Sequence, residues 1–181
     1  MSNSVENVYS SALMELLEET GIDFKAALSE YGAVSDVLAA NPDLIRFSMV
    51  PTVARGDKLN VVRNIFSGKV SDYTLNFLLL LVEKGRLGRF GGIYRDFRAK
   101  YYDKFGIAPV IVTSAFPLTP EQRDKISVKM KQFTGKDVEL TEETDKNLIG
   151  GITVEYGGTR LDGSVRTRLD NLKKEIASQI I

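Results

Sequence analysis

Residues 150–172 carry two glycine pairs followed by several arginines, the composition from which phosphate-binding sites are often built. A dinucleotide-binding loop needs glycines spaced G-x-G-x-x-G between a strand and a helix, and a P-loop needs G-x-x-x-x-G-K-[ST]. Neither pattern occurs in the chain, because Gly68-Lys69 and Gly135-Lys136 lack both the upstream glycine and the following hydroxyl. The glycines therefore need another explanation.

A tight turn explains Gly157 and Gly158 better than a phosphate cradle. The pair separates the alternating run Ile152–Tyr156 from the short step Thr159–Leu161, and a two-residue hairpin turn requires positive φ values. Asp162-Gly163-Ser164 then offers a second turn and a cap for a final helix. One apolar stripe of that helix is Val165, Leu169, Leu172 and Ile176. A phosphate-binding enzyme built on these turns stays open as a less favoured alternative.

Side chains for catalysis are scarce, since the chain has neither cysteine nor histidine. Disulfides, thiolate nucleophiles, imidazole bases and the usual zinc ligand sets are thereby excluded. The nearest acid and base candidates, Glu142-Glu143 and Asp145-Lys146, are better explained as the solvated end of a strand. We expect no catalytic residue, no cofactor-binding residue and no metal ligand, and the protein is predicted not to be an enzyme.

Composition limits the partners. The 24 Lys+Arg residues balance the 24 Asp+Glu residues, so no net positive field attracts nucleic acid or an anionic membrane surface. The longest apolar run, residues 77–82, is far shorter than the roughly 20 residues that span a bilayer. The N-terminal segment is too polar for a signal peptide and too acidic for a transit peptide. We expect a soluble protein of a reducing compartment, without nucleic acid or direct membrane insertion.

The first half has the apolar periodicity of amphipathic helices. From Val5 to Leu17 apolar residues recur at steps of three and four, and Gly21 marks the end of this helix. Asp23 is a candidate cap for a second helix, which Asn41-Pro42 stops. Four more helices are predicted around Leu44–Phe47, over 56–66, from Ser71 or Asp72, and after Gly92 with Ile93, Phe97 and Tyr101 on one face. Six helices in roughly 105 residues predict a compact bundle.

After Gly106 the pattern changes from helical to mixed. Residues 107–116 are β-branched and flanked by prolines, which predicts a strand, and a helix starting at Thr119-Pro120 ends before Gly135. Two further alternating runs, 137–143 and 152–156, predict strands, and the closing helix starts at about Ser164. The expected fold class is α+β, mainly α. An N-terminal six-helix bundle at 1–105 precedes a small α/β C-terminal domain at 106–181.

Three segments, in order, resemble one family. The run VELTEETDKNLIGGITVEYGGTRLDGSVRTRL, which begins at Val138, is similar to the signature of the delta subunit of F-type ATP synthase, the oligomycin-sensitivity-conferring protein of mitochondria. NFLLLLVEKGRL at 76–87 resembles the fifth helix of that family, and YSSALMELLEETG at 9–21 resembles its first. The Leu-Ile-Gly-Gly and Asp-Gly-Ser-Val-Arg elements are the specific ones. The family shares the predicted order of a six-helix domain and a smaller α/β domain.

The resemblance implies a non-catalytic peripheral-stalk subunit without cofactors. Such a subunit links the b subunits of the stalk to the alpha subunits at the top of the catalytic headpiece, and so supports proton-driven ATP synthesis. It also implies a place at the cytoplasmic face of the bacterial inner (plasma) membrane, within the synthase complex. An unrelated helical adaptor that binds a partner helix in a groove is the alternative.

The predicted fifth helix carries the main clue to a partner site. Because Phe77–Val82 is apolar at every position, this helix is either the central helix of the bundle or leaves one face for a partner. The resemblance implies the second, since in that family the N-terminal helix of an alpha subunit lies in a groove between helices one and five. The implied partner-binding residues are Tyr9, Ala12 and Leu16 on one wall and Phe77, Leu80 and Lys84 on the other.

For the C-terminal domain, the resemblance implies contact with the C-terminal region of the b subunits. Four basic residues of the closing helix are candidates for meeting acidic groups there, although such clusters more often form a solvated face. The apolar pair at the end of the chain is the better candidate. These residues are Arg166, Arg168, Lys173 and Lys174, and the pair Ile180-Ile181.

Overall fold

A computed structural model describes residues 4–169 of the chain. The chain divides into two compact units, residues 1–101 and 102–181, and the division falls within the sixth helix. The sequence places the domain boundary after residue 105, at the end of that helix. Independent folding of the two halves stays a prediction.

The first unit is built from helices α1 to α6. Their bounds are Val5–Thr20 for α1, Phe24–Ala40 for α2, Pro42–Met49 for α3, Arg55–Phe66 for α4, Asp72–Glu83 for α5 and Phe90–Phe105 for α6. A short 3-10 helix, Leu87–Arg89, connects α5 to α6.

Local capping sets the ends of the first two helices, as the sequence predicts. The Ser4 side chain accepts a hydrogen bond from Asn7 N at the start of α1, and Gly21 ends that helix in the left-handed conformation. Asp23 caps α2 by accepting from Lys25 N. At Pro42 the missing N–H costs nothing, because the first helical position has no intrahelical acceptor for it.

Aromatic and aliphatic side chains fill the core of this unit. Tyr31 of α2 lies edge-on to Phe97 of α6, with 5.1 Å between ring centroids, and also contacts Phe90. Leu17 of α1 and Leu78 of α5 are fully buried beside them. The apolar stripes predicted from periodicity therefore meet in one core, and the six-helix bundle is confirmed.

The sixth helix begins earlier than the sequence indicates. We predicted an interruption from Gly85 to Gly92, but α6 already starts at Phe90 and includes both Gly91 and Gly92. A Cβ atom on Gly92 would lie 2.8 Å from Cγ of Glu6, so the missing side chain lets α1 pack closely. Here glycine serves helix packing rather than chain reversal.

The second unit contains a four-stranded sheet. Its strands are β1 Ile107–Ser114, β2 Asp137–Thr144, β3 Ile152–Tyr156 and β4 Thr159–Asp162, in the spatial order β2-β1-β3-β4. β1 pairs with β2 in parallel, whereas β1–β3 and β3–β4 are antiparallel. A parallel neighbour needs a crossover, and helix α7, Pro120–Thr134, supplies it between β1 and β2.

One face of this sheet packs against α7. Val110 and Val112 of β1, Met130 of α7 and Val154 of β3 form the buried centre of this second core. Helix α7 starts in a capping box between Thr119 and Gln122 and ends at left-handed Gly135. The predicted strands and helix are thus confirmed, as is the α+β, mainly α fold class.

Candidate partner-binding surface

The three predicted residues of α1 lie on its outer side. Tyr9 is half-buried, whereas Ala12 is exposed and Leu16 is 37% exposed. The opposite side of the helix is buried through Ser10, Leu13 and Leu17. An apolar stripe of α1 is therefore left to solvent.

The predicted residues of α5 divide between core and surface. Phe77 is only 8% exposed, Leu80 is 40% exposed, and Lys84 is an exposed residue that ends the helix. Within the apolar run 77–82, four side chains are buried, Leu79 is half-buried and only Leu80 is exposed. Most of the uniform apolarity of α5 thus belongs to the bundle core, and Leu80 is the outward exception.

The two helices meet at an aromatic contact. The rings of Tyr9 and Phe77 are 6.0 Å apart in an edge-on arrangement. Arg86 donates from Nη1 to the Tyr9 hydroxyl at 3.0 Å, and its guanidinium lies 5.7 Å from the centre of the Tyr9 ring. The sequence analysis missed Arg86, because its position after the helix end gives no periodic signal.

A polar cluster holds α1 against α6. Lys100 Nζ lies 2.6 Å from Ser10 Oγ and 2.7 Å from Ser11 Oγ. The Ser10 hydroxyl also donates to Asp96, and this hydrogen bond, assisted by nearby Lys100, lowers the pKa of Asp96 despite partial burial. The cluster fixes the rotation of α1 and keeps Ala12 and Leu16 outward.

A carboxylate from α2 caps α5. The first turn of α5 has no side-chain cap of its own. Glu30 Oε2 instead accepts from the Ser71 hydroxyl at 2.7 Å and from the Thr74 hydroxyl at 2.8 Å, and Glu30 also accepts from the Ser71 backbone N–H. Burial opposes ionisation of Glu30, but these hydrogen bonds prevail and lower its pKa.

The glycine-rich stretch forms turns. Gly157 and Gly158 both have positive φ, 56° and 79°, between β3 and β4, as the hairpin prediction requires. Gly151 also has positive φ, 79°, and a Cβ there would lie 2.4 Å from the Gly163 carbonyl oxygen. The two glycine-containing motifs therefore pack directly on each other, a contact that the sequence analysis missed.

The Asp162-Gly163-Ser164 turn also forms as expected. Asp162 Oδ1 accepts from Ser164 N at 2.8 Å and Oδ2 accepts from the Thr167 hydroxyl at 2.8 Å, which lowers the pKa of Asp162. Residues 165–169 are helical. The hydroxyl of Ser164 accepts from Thr167 N, so it caps this helix.

The basic and apolar candidates of the closing helix are only partly described. Arg166 and Arg168 are exposed. Lys173, Lys174, Leu172, Ile176 and the pair Ile180-Ile181 lie outside the described residues.

The acidic candidates near the end of β2 have structural partners. Glu142 pairs with Arg123 of α7, and Asp145 accepts from Asn147 N at 2.9 Å. Within residues 4–169, no group of His, Cys, Asp and Glu side chains is arranged to hold a metal ion. Among the helices in that range, none is both long and apolar enough to cross a bilayer.

Comparisons with known proteins match the whole arrangement. The family model of the ATP synthase delta (OSCP) subunit matches residues 5–176. ATP synthase subunit delta of Halalkalibacterium halodurans is 34% identical over 98% of this chain and 98% of its own length, and that of Desulforamulus reducens is 32% identical over 99% and 98%. A chain of the Toxoplasma gondii mitochondrial ATP synthase hexamer shares 26% identity with a TM-score of 0.67, covering 97% of this chain and 98% of that one.

Proposed function

Because the chain belongs to the ATP synthase delta (OSCP) subunit family, we propose that it links the b subunits of the peripheral stalk to the alpha subunits at the top of the catalytic headpiece. Its role as a peripheral-stalk subunit of an F-type ATP synthase supports proton-driven ATP synthesis. The observation that carries this function is the match over nearly the full length to a chain of a solved ATP synthase.

The alpha-subunit contact is assigned to the surface between α1 and α5. Ala12 and Leu16 on α1 and Leu80 on α5 are exposed apolar groups around the Tyr9–Phe77 contact, and Lys84 borders them. An amphipathic helix that lays its apolar face on such a surface is a common mode of recognition. The small Ala12 side chain lets the backbone of an incoming helix approach closely.

The role proposed is mechanical and non-catalytic. Ser, Tyr, Lys, Asp and Glu are the reactive residue types available without His and Cys, and the acidic candidates of the described part serve pairs and caps. The chain acts by holding two partners together, so its affinity for each is the functional quantity.

The b-subunit contact is assigned to the second unit. Exposed Val165 and Leu169 begin an apolar stripe on the helix at 165–169, and Arg166 and Arg168 flank it. This helix has an apolar side for packing and a basic side for acidic partner groups. The assembly is placed at the cytoplasmic face of the bacterial plasma membrane, where the chain attaches through its partners.

Co-purification with the membrane ATPase tests the function. The chain should remain with washed membranes and leave them in a wash that strips the headpiece. An unrelated helical adaptor would not follow the ATPase into either fraction. A nucleotide titration provides the second check: heat or protection on adding ATP would favour a phosphate-binding enzyme, and its absence is expected.

A further inference from the structure

The direction of α1 in the bundle follows from its contacts with α6. Glu6 lies against Gly92, Ser10 bonds Asp96, and Ser11 contacts Lys100 one turn further on. Both helices therefore run the same way. Since α5 reaches α6 through the short segment 84–89, α5 runs opposite to α1, and the start of α1 lies beside the end of α5.

The end of this surface near Tyr9 is basic. Lys84 and Arg86 are exposed there, and the neighbouring Arg89 pairs with Glu6 at 3.2 Å, so these two side chains determine the local charge. The bond and stacking contact with Tyr9 hold the Arg86 guanidinium in place. Its other N–H groups remain available for a carboxylate, because a guanidinium has five donors.

The opposite end of the surface is acidic. Glu19 follows Ala12 and Leu16 at the helical spacing of one face, so it extends their stripe toward the end of α1. Glu15 is exposed beside that stripe. Because α1 and α5 run in opposite directions, their helix dipoles oppose each other and the side chains set the sign of each end.

We propose that this charge gradient fixes the direction of the bound partner helix, with Lys84 and Arg86 at its C-terminal end and Glu15 and Glu19 at its N-terminal end. The partner helix then runs opposite to α1 and parallel to α5. The inference rests on the proposed function and adds Arg86 and Glu19 to the binding surface. The bound helix carries acidic groups or its free carbonyls toward Arg86, and basic groups or its free N–H groups toward Glu19.

Two physical terms favour this direction over the reverse. Anions are stabilised at a helix N-terminus and cations at a helix C-terminus, so each end of the bound helix meets the charge that it prefers. Reversal places like charges together at both ends, and like-charge contacts are a common means of rejecting wrong orientations. The apolar contacts at Ala12, Leu16 and Leu80 alone do not distinguish the two directions.

Paramagnetic broadening in NMR spectra measures the direction without changing the protein. The probe is a synthetic peptide of the alpha-subunit N-terminal helix that carries a nitroxide at its first or last residue, added to the ¹⁵N-labelled full chain. We expect the C-terminal nitroxide to broaden the amides of Lys84 and Arg86, and the N-terminal nitroxide those of Glu15 and Glu19. The opposite pattern, or equal broadening at both ends, overturns the direction and leaves the docking site intact. Absence of any peptide binding removes the site itself and the direction with it.

A matched pair of arginine variants tests the residue assignment. Arg86→Gln should weaken binding of the unlabelled peptide by about threefold at low salt, the effect of one exposed ion pair, with a smaller loss at high salt. Arg63→Gln, which changes an exposed arginine of α4, should leave the affinity unchanged. Equal affinities for the two variants would mean that Arg86 does not bind the partner.

Discussion

Ala12 is the residue whose substitution separates binding from folding most cleanly. It is exposed on α1, so Ala12→Asp should leave the bundle folded. A docked apolar helix would have to desolvate the new carboxylate, which costs several kcal/mol if the charge stays unpaired. We expect binding of the alpha-subunit peptide to weaken at least tenfold, about 1.4 kcal/mol, in a calorimetric titration.

The control is an exposed alanine on another helix. Ala33→Asp on α2 introduces the same charge away from the proposed surface and should not change the affinity. Unchanged peptide binding by the Ala12 variant would place the site elsewhere. Global unfolding of that variant would make Ala12 a core position.

Glu30 gives the bundle an acid-sensitive contact. Its pKa is lowered in the folded protein, so its ionised form stabilises the native state. This contribution is complete above the unfolded-state pKa, about 4.3, and is lost as the pH falls through the lower native value. Glu30→Gln should therefore destabilise the protein at pH 7 by about 1 kcal/mol, allowing for partial solvent screening.

Thermal melts across a pH series measure this effect. The gap in melting temperature between the parent protein and Glu30→Gln should be several degrees at pH 7 and should narrow below about pH 4. Asp36→Asn, an exposed position on the same helix, provides the control. A gap that stays constant with pH would show that the charge of Glu30 does not contribute.

Two glycines of the second unit should differ in their tolerance of a side chain. Gly158 needs positive φ but has open space around it, so Gly158→Ala should cost about 1 kcal/mol of backbone strain. Gly151 combines positive φ with a backbone carbonyl 2.4 Å from the new Cβ, so Gly151→Ala should cost at least about 2 kcal/mol. Urea unfolding of both variants measures the order, and an equal loss would contradict the packing argument.

The sequence predicts elements well where the signal is local. The stripe of α1, the caps at Asp23 and Thr119, and the hairpin at Gly157-Gly158 each depend on residues a few positions apart. Gly92 defeats this reasoning, because its purpose depends on Glu6, which is distant in the sequence. A local rule therefore assigned a break where the chain remains helical.

The candidate site is less predictable than the fold. Apolar periodicity leaves open whether α5 is a central helix or a docking face, and the structure shows that most of its apolar run is core. The choice of Ala12, Leu16 and Leu80 depended on the family resemblance. Arg86 became a candidate only through its contact with Tyr9, which is a tertiary contact that no spacing rule indicates.

At the scale of the whole molecule, the change of pattern near Gly106 predicts two units that fold independently. A fragment of residues 1–105, which keeps α6 complete, should be helical and unfold cooperatively on heating. Its contacts in the first core, such as Tyr31 with Phe97, all lie within the fragment. Circular dichroism and calorimetry measure this, and a molten or insoluble fragment would place the boundary elsewhere.

The carboxylate cap on α5 also bears on the order of folding. Glu30 and Ser71 are 41 residues apart, and the first turn of α5 has no cap of its own. A helix as short as α5 gains most of its stability from tertiary packing. Its first turn therefore closes only when α2 is already helical and in place. The partner surface on α5 is consequently completed late, and a nascent chain has no docking face to offer before the second helix has been built into the bundle.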